Sequence, residues 1–507
     1  MTIREWRNSF VPINRVPLEV LSLIPTHLSC EEDLLCATSV CRHWRRTFIQ
    51  HATLWSQVNL TIKKSGIVVK TLLERAKGSP LDVRSARLDC AEILALLSRH
   101  TQQFRTLDFF DDYWPNIRMF SEAMPGPFPL LRTLKIRASE LEMLGPETTN
   151  PPSLPLFSGA VNLKEFILHS AGIPHLNHFA FPNLTTFELF AAEESEEFPV
   201  SQLLNFLEAS QTLRTVRIEI AAETYTEDVP LERVIVLPNA EVFSVTQDKP
   251  GYRIAAHVTC PSARLTSLIY EYCAEEETPQ LFPTSVSWNV IGPQYMSSTI
   301  DEVILRITIA EDDILSCFLS FLSPGLATLR LGCIMVTESE DSGGTPYSLG
   351  EKHSQVFSQA SKAIREHPLL SNVKRLHIQD RHNLLAHQLE GIAEQAAQLF
   401  KFVGPLEELV LDVDNLRPFF SPSSDLVQPG EFSLIKVLTI ERSEKPLKEE
   451  CMAAIVELVK SRHALGVPFE RVVFCVEDYP VGMIERLKPW AATLYPGGMI
   501  EDDEDFI

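Results

Sequence analysis

"LRTLKI" at residues 131–136 reads apolar-x-x-apolar-x-apolar, with Leu131, Leu134 and Ile136 in the apolar places. Its second half alternates apolar and polar, the pattern of a short strand that buries one face. The phrase returns along the chain. Earlier and later copies are "FRTLDF" (104–109), "LKEFIL" (163–168), "LTTFEL" (184–189), "LRTVRI" (213–218), "AEVFSV" (240–245), "LTSLIY" (265–270) and "IDEVIL" (300–305). The series continues with "LATLRL" (326–331), "VKRLHI" (373–378), "LEELVL" (406–411) and "IKVLTI" (435–440). "ERVVFC" (470–475) joins it when read one residue out of step, with Phe469, Val472 and Phe474 apolar. Successive central residues lie between 21 positions (Phe166 to Phe187) and 47 positions (Leu329 to Leu376) apart.

Between the phrases lie stretches with helical spacing: "SQLLNFLEAS" (201–210), "DDILSCFLSFL" (312–322), "QVFSQASKAIREH" (355–367) and "LEGIAEQAAQLFKFV" (389–403). Residues 447–463 place Cys451, Ile455, Leu458 and Val459 on one side of another helix. Strand then helix, at a period of about 20–35 residues, predicts an α/β solenoid of short parallel strands and helices. One such unit cannot bury its apolar face alone, so neighbours must stack. An ordinary α/β domain whose strands echo one another by chance is the competing reading.

"GPETTNPPSLP" (145–155) reads as a connector, and "AAEESEEF" (191–198) and "CAEEET" (273–278) as acidic loops. "TESEDSGGTPYSLGE" (337–351) falls in the longest interval and is expected to be an exposed insertion. "EDDEDFI" (501–507) is an acidic tail.

The 507 residues are 45% hydrophobic and 22% charged, a globular composition, with a formal net charge of −22. Such a charge repels phosphates and anionic lipid, so neither nucleic acid nor membrane is an expected partner. The ten cysteines form no CxxC pair, and neither a signal-peptide core nor a run of 18 apolar residues occurs. The expected setting is cytoplasmic, nuclear or both.

The first sixty residues follow another plan. "VPLEVLSLIPTHLS" (16–29) begins as a helix with Pro17 at its first position, and Pro25 should end it. Ser29 and Glu32 fit a capping box for a second start. Leu34, Leu35, Val40, Trp44 and Phe48 then recur at helical intervals among Arg42, Arg45 and Arg46, and "TLWSQVNL" (53–60) closes the segment. A unit this small cannot bury all its large apolar side chains by itself. The surplus must pack on the rest of the chain or on a partner.

These residues resemble the F-box over roughly 13–60. The resemblance rests on Pro17-Leu18-x-Val20-Leu21, Ile24, Leu28, Asp33-Leu34, Ser39-Val40-Cys41-Arg42-x-Trp44-Arg45 and Leu54-Trp55. Pro25 departs from the family, which usually has a large apolar residue there. The resemblance implies a three-helix module that docks on the Skp-type adaptor and through it on a cullin. By position, Pro17, Leu18, Val20, Leu21, Ile24, Leu28, Leu34, Val40, Cys41, Trp44 and Trp55 would be core or adaptor contact.

The remainder resembles leucine-rich-repeat proteins more loosely. That family carries Asn or Cys three residues past each phrase. Here the position holds Ser139, Ala171, Ala192, Ala221, Asp248, Cys273 or Arg381. The expected plan is a leader (1–12), an F-box (13–60), a repeat array (61–500) and the acidic tail (501–507). The expected function is that of a non-catalytic substrate receptor of an SCF-type ubiquitin ligase, whose target is unknown. Arg132, Lys135, Arg214 and Arg217 are weak candidates for target contacts.

Other chemistry finds little footing. Cys30, Cys36, Cys41 and His43 lack zinc-ligand spacing, as do His169, His175 and His178, and His382 with His387. Phosphate-loop, dinucleotide, nucleophile-elbow and HExxH motifs are missing from the sequence. No metal or cofactor is expected. Two alternatives stay open: an interaction scaffold outside a ligase, and an enzyme hidden in the α/β region.

Overall fold

The computed structural model describes residues 11, 16–21, 31–60, 65–86, 91–110, 114–124, 126–138, 157, 159–170, 176, 179–195, 200–222, 229–230, 233–247, 253–273, 302–309, 315–322, 328–336, 374–380, 406–413, 435–441, 449–475, 481–491 and 493–495. The chain divides into two compact units, Met1–Val229 and Pro230–Ile507.

The first unit opens with α1 (Leu18–Leu21), α2 (Glu31–Ser39), α3 (Arg42–Gln50) and a 3-10 turn at Ala52–Trp55. The chain then runs directly into β1 (Gln57–Leu60). Strands and helices follow: α4 (Gly66–Ala76), β2 (Leu81–Ser85), α5 (Ala91–Leu97), β3 (Phe104–Phe110), α6 (Trp114–Ala123), β4 (Thr133–Ala138), β5 (Glu165–Ser170), β6 (Thr186–Ser195), α7 (Val200–Ala209) and β7 (Thr215–Ala222). Each strand from β1 to β7 pairs in parallel with the next. Parallel neighbours cannot be joined by a tight turn. Helices α4 to α7 supply several of the crossovers.

The register explains why the phrase recurs. Val58, Val83, Leu107, Leu134, Phe166, Phe187 and Val216 stand opposite one another across the sheet, and all are buried. Two residues on, Phe109, Ile136, Leu168, Leu189 and Ile218 form a second buried row. In four copies the phrase's first residue belongs to a turn that precedes the strand. There the amides of Leu131, Leu163, Leu184 and Leu213 bond the carbonyls of Phe128, Ala160, Phe181 and Ser210, at 3.1–3.3 Å. Helix α7 covers this apolar side: Phe206 meets Phe187 at 4.6 Å between ring centroids, and Phe120 of α6 meets Phe109 at 4.8 Å.

Polar bracing lies at the strand entrances. Asn162 Nδ2 donates to the Pro129 carbonyl at 2.8 Å, Asn183 Nδ2 to that of Val161 at 2.9 Å, and Thr212 Oγ1 to that of Pro182 at 3.3 Å. Each donor directly precedes its phrase and reaches the preceding unit. The backbone repeats the device: Lys164 and Glu165 both donate to Arg132 O, Thr185 and Thr186 to Lys164 O, and Arg214 and Thr215 to Thr185 O.

The second unit contains β8 (Ile235–Val236), β9 (Val242–Gln247), α8 (Arg253–Ala256), β10 (Val258–Thr259), β11 (Leu265–Cys273), β12 (Glu302–Ile309), β13 (Leu315–Leu322), β14 (Thr328–Val336) and β15 (Arg375–Asp380). It ends with β16 (Glu408–Val413), β17 (Val437–Glu441), α9 (Glu449–Ala464), β18 (Arg471–Cys475), α10 (Val481–Leu487) and β19 (Leu494–Tyr495). Strands β8 and β10 form a small parallel ladder. In the main sheet the pairing runs β9–β11–β14–β13–β12–β15–β16–β17–β18–β19.

Three expectations are corrected here. "DDILSCFLSFL" is strand β13 and not a helix, antiparallel to both β12 and β14. The segments joining it to its neighbours, 310–314 and 323–327, are too short for the crossover of a dozen or more residues that parallel strands need. Its Leu315, Phe318, Leu319 and Leu322 satisfy a helical period, yet Leu315, Cys317, Leu319 and Phe321 satisfy a strand period equally. Second, the meander reverses the order of two phrases, so that β14 and not β12 lies beside β11. Third, the phrase at 265–270 is two residues out of register. Thr266 faces Phe243 and Leu268 faces Val245, so the unit is Ala263-x-x-Thr266-x-Leu268, all buried.

The helices expected at 201–210 and 447–463 correspond to α7 and α9, with Ile455, Leu458 and Val459 buried. The segments 145–155, 337–351, 355–367, 389–403 and 501–507 lie outside the described residues.

Candidate functional site

The N-terminal helices are held by a few specific contacts. Pro17 directly precedes α1, and its carbonyl accepts the Leu21 amide at 2.8 Å. Helices α2 and α3 pack on each other, and α1 packs on α3. Arg45 Nε donates to the Thr38 carbonyl at 3.0 Å, serving one of the last-turn carbonyls that a helix leaves unbonded. Trp55 Nε1 donates at 2.9 Å to Phe48 O in the last turn of α3, a carbonyl that also accepts the His51 amide. From α4, the Arg75 guanidinium lies 4.4 Å from the Trp55 ring centroid. Trp55 thereby ties the helical module to the first strand–helix unit.

These contacts sort the expected site residues. Leu21, Leu34 and Trp55 are buried, with Phe48 beside them, and form the module's own core. Pro17 is exposed, as are Val20 (50%) and Val40 (61%). Cys41 and Trp44 are half-buried; the Trp44 ring lies 5.4 Å from that of Phe48, and its Nε1 makes no hydrogen bond among the described residues. Leu18 is the first residue of α1. Ile24 and Leu28 lie outside the described residues, as do Pro25 and Ser29 of the expected helix end and capping box. Leu35, absent from the expected set, is 41% exposed on α2. Successive helical residues point about 100° apart, so in a Leu-Leu pair one side chain turns inward and the other out.

Residues 13–61 match the F-box-like family model. An F-box-like domain thus occupies this end of the chain, and such domains generally bind a Skp-type adaptor. The match runs past β1 (Gln57–Leu60), so the domain includes the first strand of the parallel sheet, and Asp82 N bonds Ser56 O at 2.9 Å across that join. No curated protein matches the chain.

A second surface lies on the first unit's sheet, on the side away from α6 and α7. Asn59, Arg84, Asp108, Lys135, Ile167, Glu188 and Arg217 stand opposite one another across it. Phe110, Arg137, His169, Phe190 and Glu219 form the next row. Ion pairs link neighbours: Lys135 with Glu165 at 3.8 Å, Arg217 with Glu188 at 3.1 Å, and Arg105 with Asp82. Of the expected target contacts, Lys135 and Arg217 belong to this face, already paired. Arg132 and Arg214 precede β4 and β7, in the turns. The His169 ring stacks on Phe190 at 5.4 Å. Burial and the charge of Arg137, opposed by Glu188 and assisted by Lys135, hold its imidazole below the usual value.

Among the described residues no group of three or more His, Cys, Asp or Glu side chains could hold a metal ion. No helix there is long and apolar enough to cross a membrane.

Proposed function

We propose that the chain is a non-catalytic substrate receptor of an SCF-type ubiquitin ligase, working in the cytoplasm, the nucleus or both. In this reading residues 13–60 dock on the Skp-type adaptor, which carries the cullin. Residues 61–500 form an irregular leucine-rich-repeat-like solenoid that presents the target, flanked by the leader 1–12 and the acidic tail 501–507. The contribution is proximity: holding target and ligase on one chain raises their effective concentration.

The observation that carries the reading is the split within the F-box-like domain. Among the described residues Leu21, Leu34, Phe48 and Trp55 form its core, while Val20, Leu35 and Val40 stay in solvent. Apolar side chains left outside a core are what a protein partner buries, and central ones carry most of an interface's energy. Pro17, Cys41 and Trp44 extend the proposed contact.

Affinity capture of the full chain, with adaptor and cullin both quantified, tests this. Wild type should bring down both, and Val20→Glu with Val40→Glu neither. Capture of adaptor without cullin would favour the scaffold reading instead.

A further inference from the structure

We infer that this face of the first unit's sheet binds a target segment carrying an isolated acidic side chain, its carboxylate held between Arg84 and Arg137. This rests on reading the sheet as the target-binding part of the chain.

The site is built on three adjacent strands. Asp108 of β3 stands opposite Arg84 of β2, and Phe110, two residues on, stands opposite Arg137 of β4. Asp108 is only 16% exposed, while Arg84 is 48% and Arg137 34% exposed, so the carboxylate lies beneath the two cations. Both guanidinium groups also lie against the Phe110 ring, 5.0 and 5.6 Å from its centroid. Phe110 itself is 40% exposed.

Among the described residues the hydrogen-bond donors of this pair are unspent. Arg84 Nε is 3.6 Å and Arg137 Nη2 3.7 Å from Asp108 Oδ2, beyond hydrogen-bonding distance. Neither guanidinium makes a hydrogen bond among the described residues. Guanidinium forks are shaped to grip a carboxylate or phosphate through paired N–H donors. An aromatic ring underneath pre-orders them and offers apolar area to the residue beside the anion.

Charge decides between those two anions. Two arginines over one aspartate leave a single positive charge, because the neighbouring Lys135, Arg217 and Arg105 are already matched by Glu165, Glu188 and Asp82. One positive charge suits a monoanionic carboxylate better than a phosphate dianion. The chain's overall −22 repels polyanions, so a local spot of this kind selects an isolated acidic side chain with an apolar neighbour.

The test is fluorescence anisotropy of the full chain with three labelled degenerate peptide pools. Each carries a fixed central pair: Glu-Leu, Gln-Leu or phosphoserine-Leu. The Glu-Leu pool should bind best, and Arg84→Gln or Arg137→Gln should each weaken it about tenfold or more. Asp108→Asn should tighten Glu-Leu binding and shift preference toward phosphoserine, a gain that misfolding could not produce. Equal binding of the Gln-Leu pool, a phosphoserine preference in wild type, or indifference to both arginine changes would overturn the inference. Adaptor capture by the arginine variants should be unchanged, so failure here and failure of adaptor docking are separate results.

Discussion

Trp55→Phe probes the join between the F-box-like domain and the sheet. The substitution keeps an aromatic ring in a fully buried site but removes the Nε1–H bond to Phe48 O, 2.9 Å long, and shrinks the ring under Arg75. A net hydrogen bond contributes about 1 kcal/mol. The smaller ring forfeits about another 1 kcal/mol through lost packing and a weaker cation–π contact. Phe48 O keeps the His51 amide at 3.2 Å, so no carbonyl is orphaned and the cost stays near about 2 kcal/mol. A chain of two units need not unfold in one step, so a local probe is required. Amide hydrogen exchange across Arg42–Gln50 should speed up by about thirtyfold, with exchange in β16 unchanged. Unchanged protection of α3 would mean that Trp55 is not the fastening described.

Three further outcomes follow from burial and charge. Leu21→Ala should destabilise the helical module by about 2–5 kcal/mol, whereas Val40→Ala should fall within about 0.5 kcal/mol of wild type, both read by hydrogen exchange. Burial pushes the Cys260 thiol up to about 12, so in the native chain it should resist alkylation at mildly alkaline pH while exposed Cys36 reacts. For His169 the folded pKa lies below the unfolded value of about 6.5, so the unfolded state binds the proton more readily. Its contribution therefore favours folding above that pH and is lost as pH falls through the window between the two values. Proton NMR should show His169 titrating low and moving up in Arg137→Gln.

The sequence carried the sheet because the physical demand is local: a parallel strand buried on one face must alternate. It carried less where context decides. The phrase misplaced the unit at 265–270 since Leu265 and Leu268 fit it as well as Ala263 and Leu268 do, and only pairing with β9 selects Thr266 for the buried place. Aligning "FPNLTTFEL" (181–189) with "LPNAEVFSV" (237–245) and "CPSARLTSL" (260–268) would have shown the shift, because the turn before the strand repeats too. β13 was missed because its apolar residues satisfy two periods, and connection length breaks the tie. β1 carries the full phrase as "WSQVNL" (55–60), with Trp55, Val58 and Leu60 buried, but reads as the close of the helical segment; β2, "LDVRS", ends on Ser85 where the phrase needs an apolar residue. Within the F-box-like domain, composition marks an apolar surplus, but only packing separates Leu34, which faces in, from Leu35, which faces out. The cluster of Arg84, Asp108, Phe110 and Arg137 joins residues far apart in the chain, and strand register alone brings them together.

In the proposed function, exposed apolar residues of the F-box-like domain grip a Skp-type adaptor. Isothermal titration of the purified full chain with purified adaptor measures this directly. Saturable binding is expected, lost in Val20→Glu/Val40→Glu and kept in Arg84→Gln/Arg137→Gln. No binding by wild type, or equal binding by the Val20→Glu/Val40→Glu chain, would contradict it.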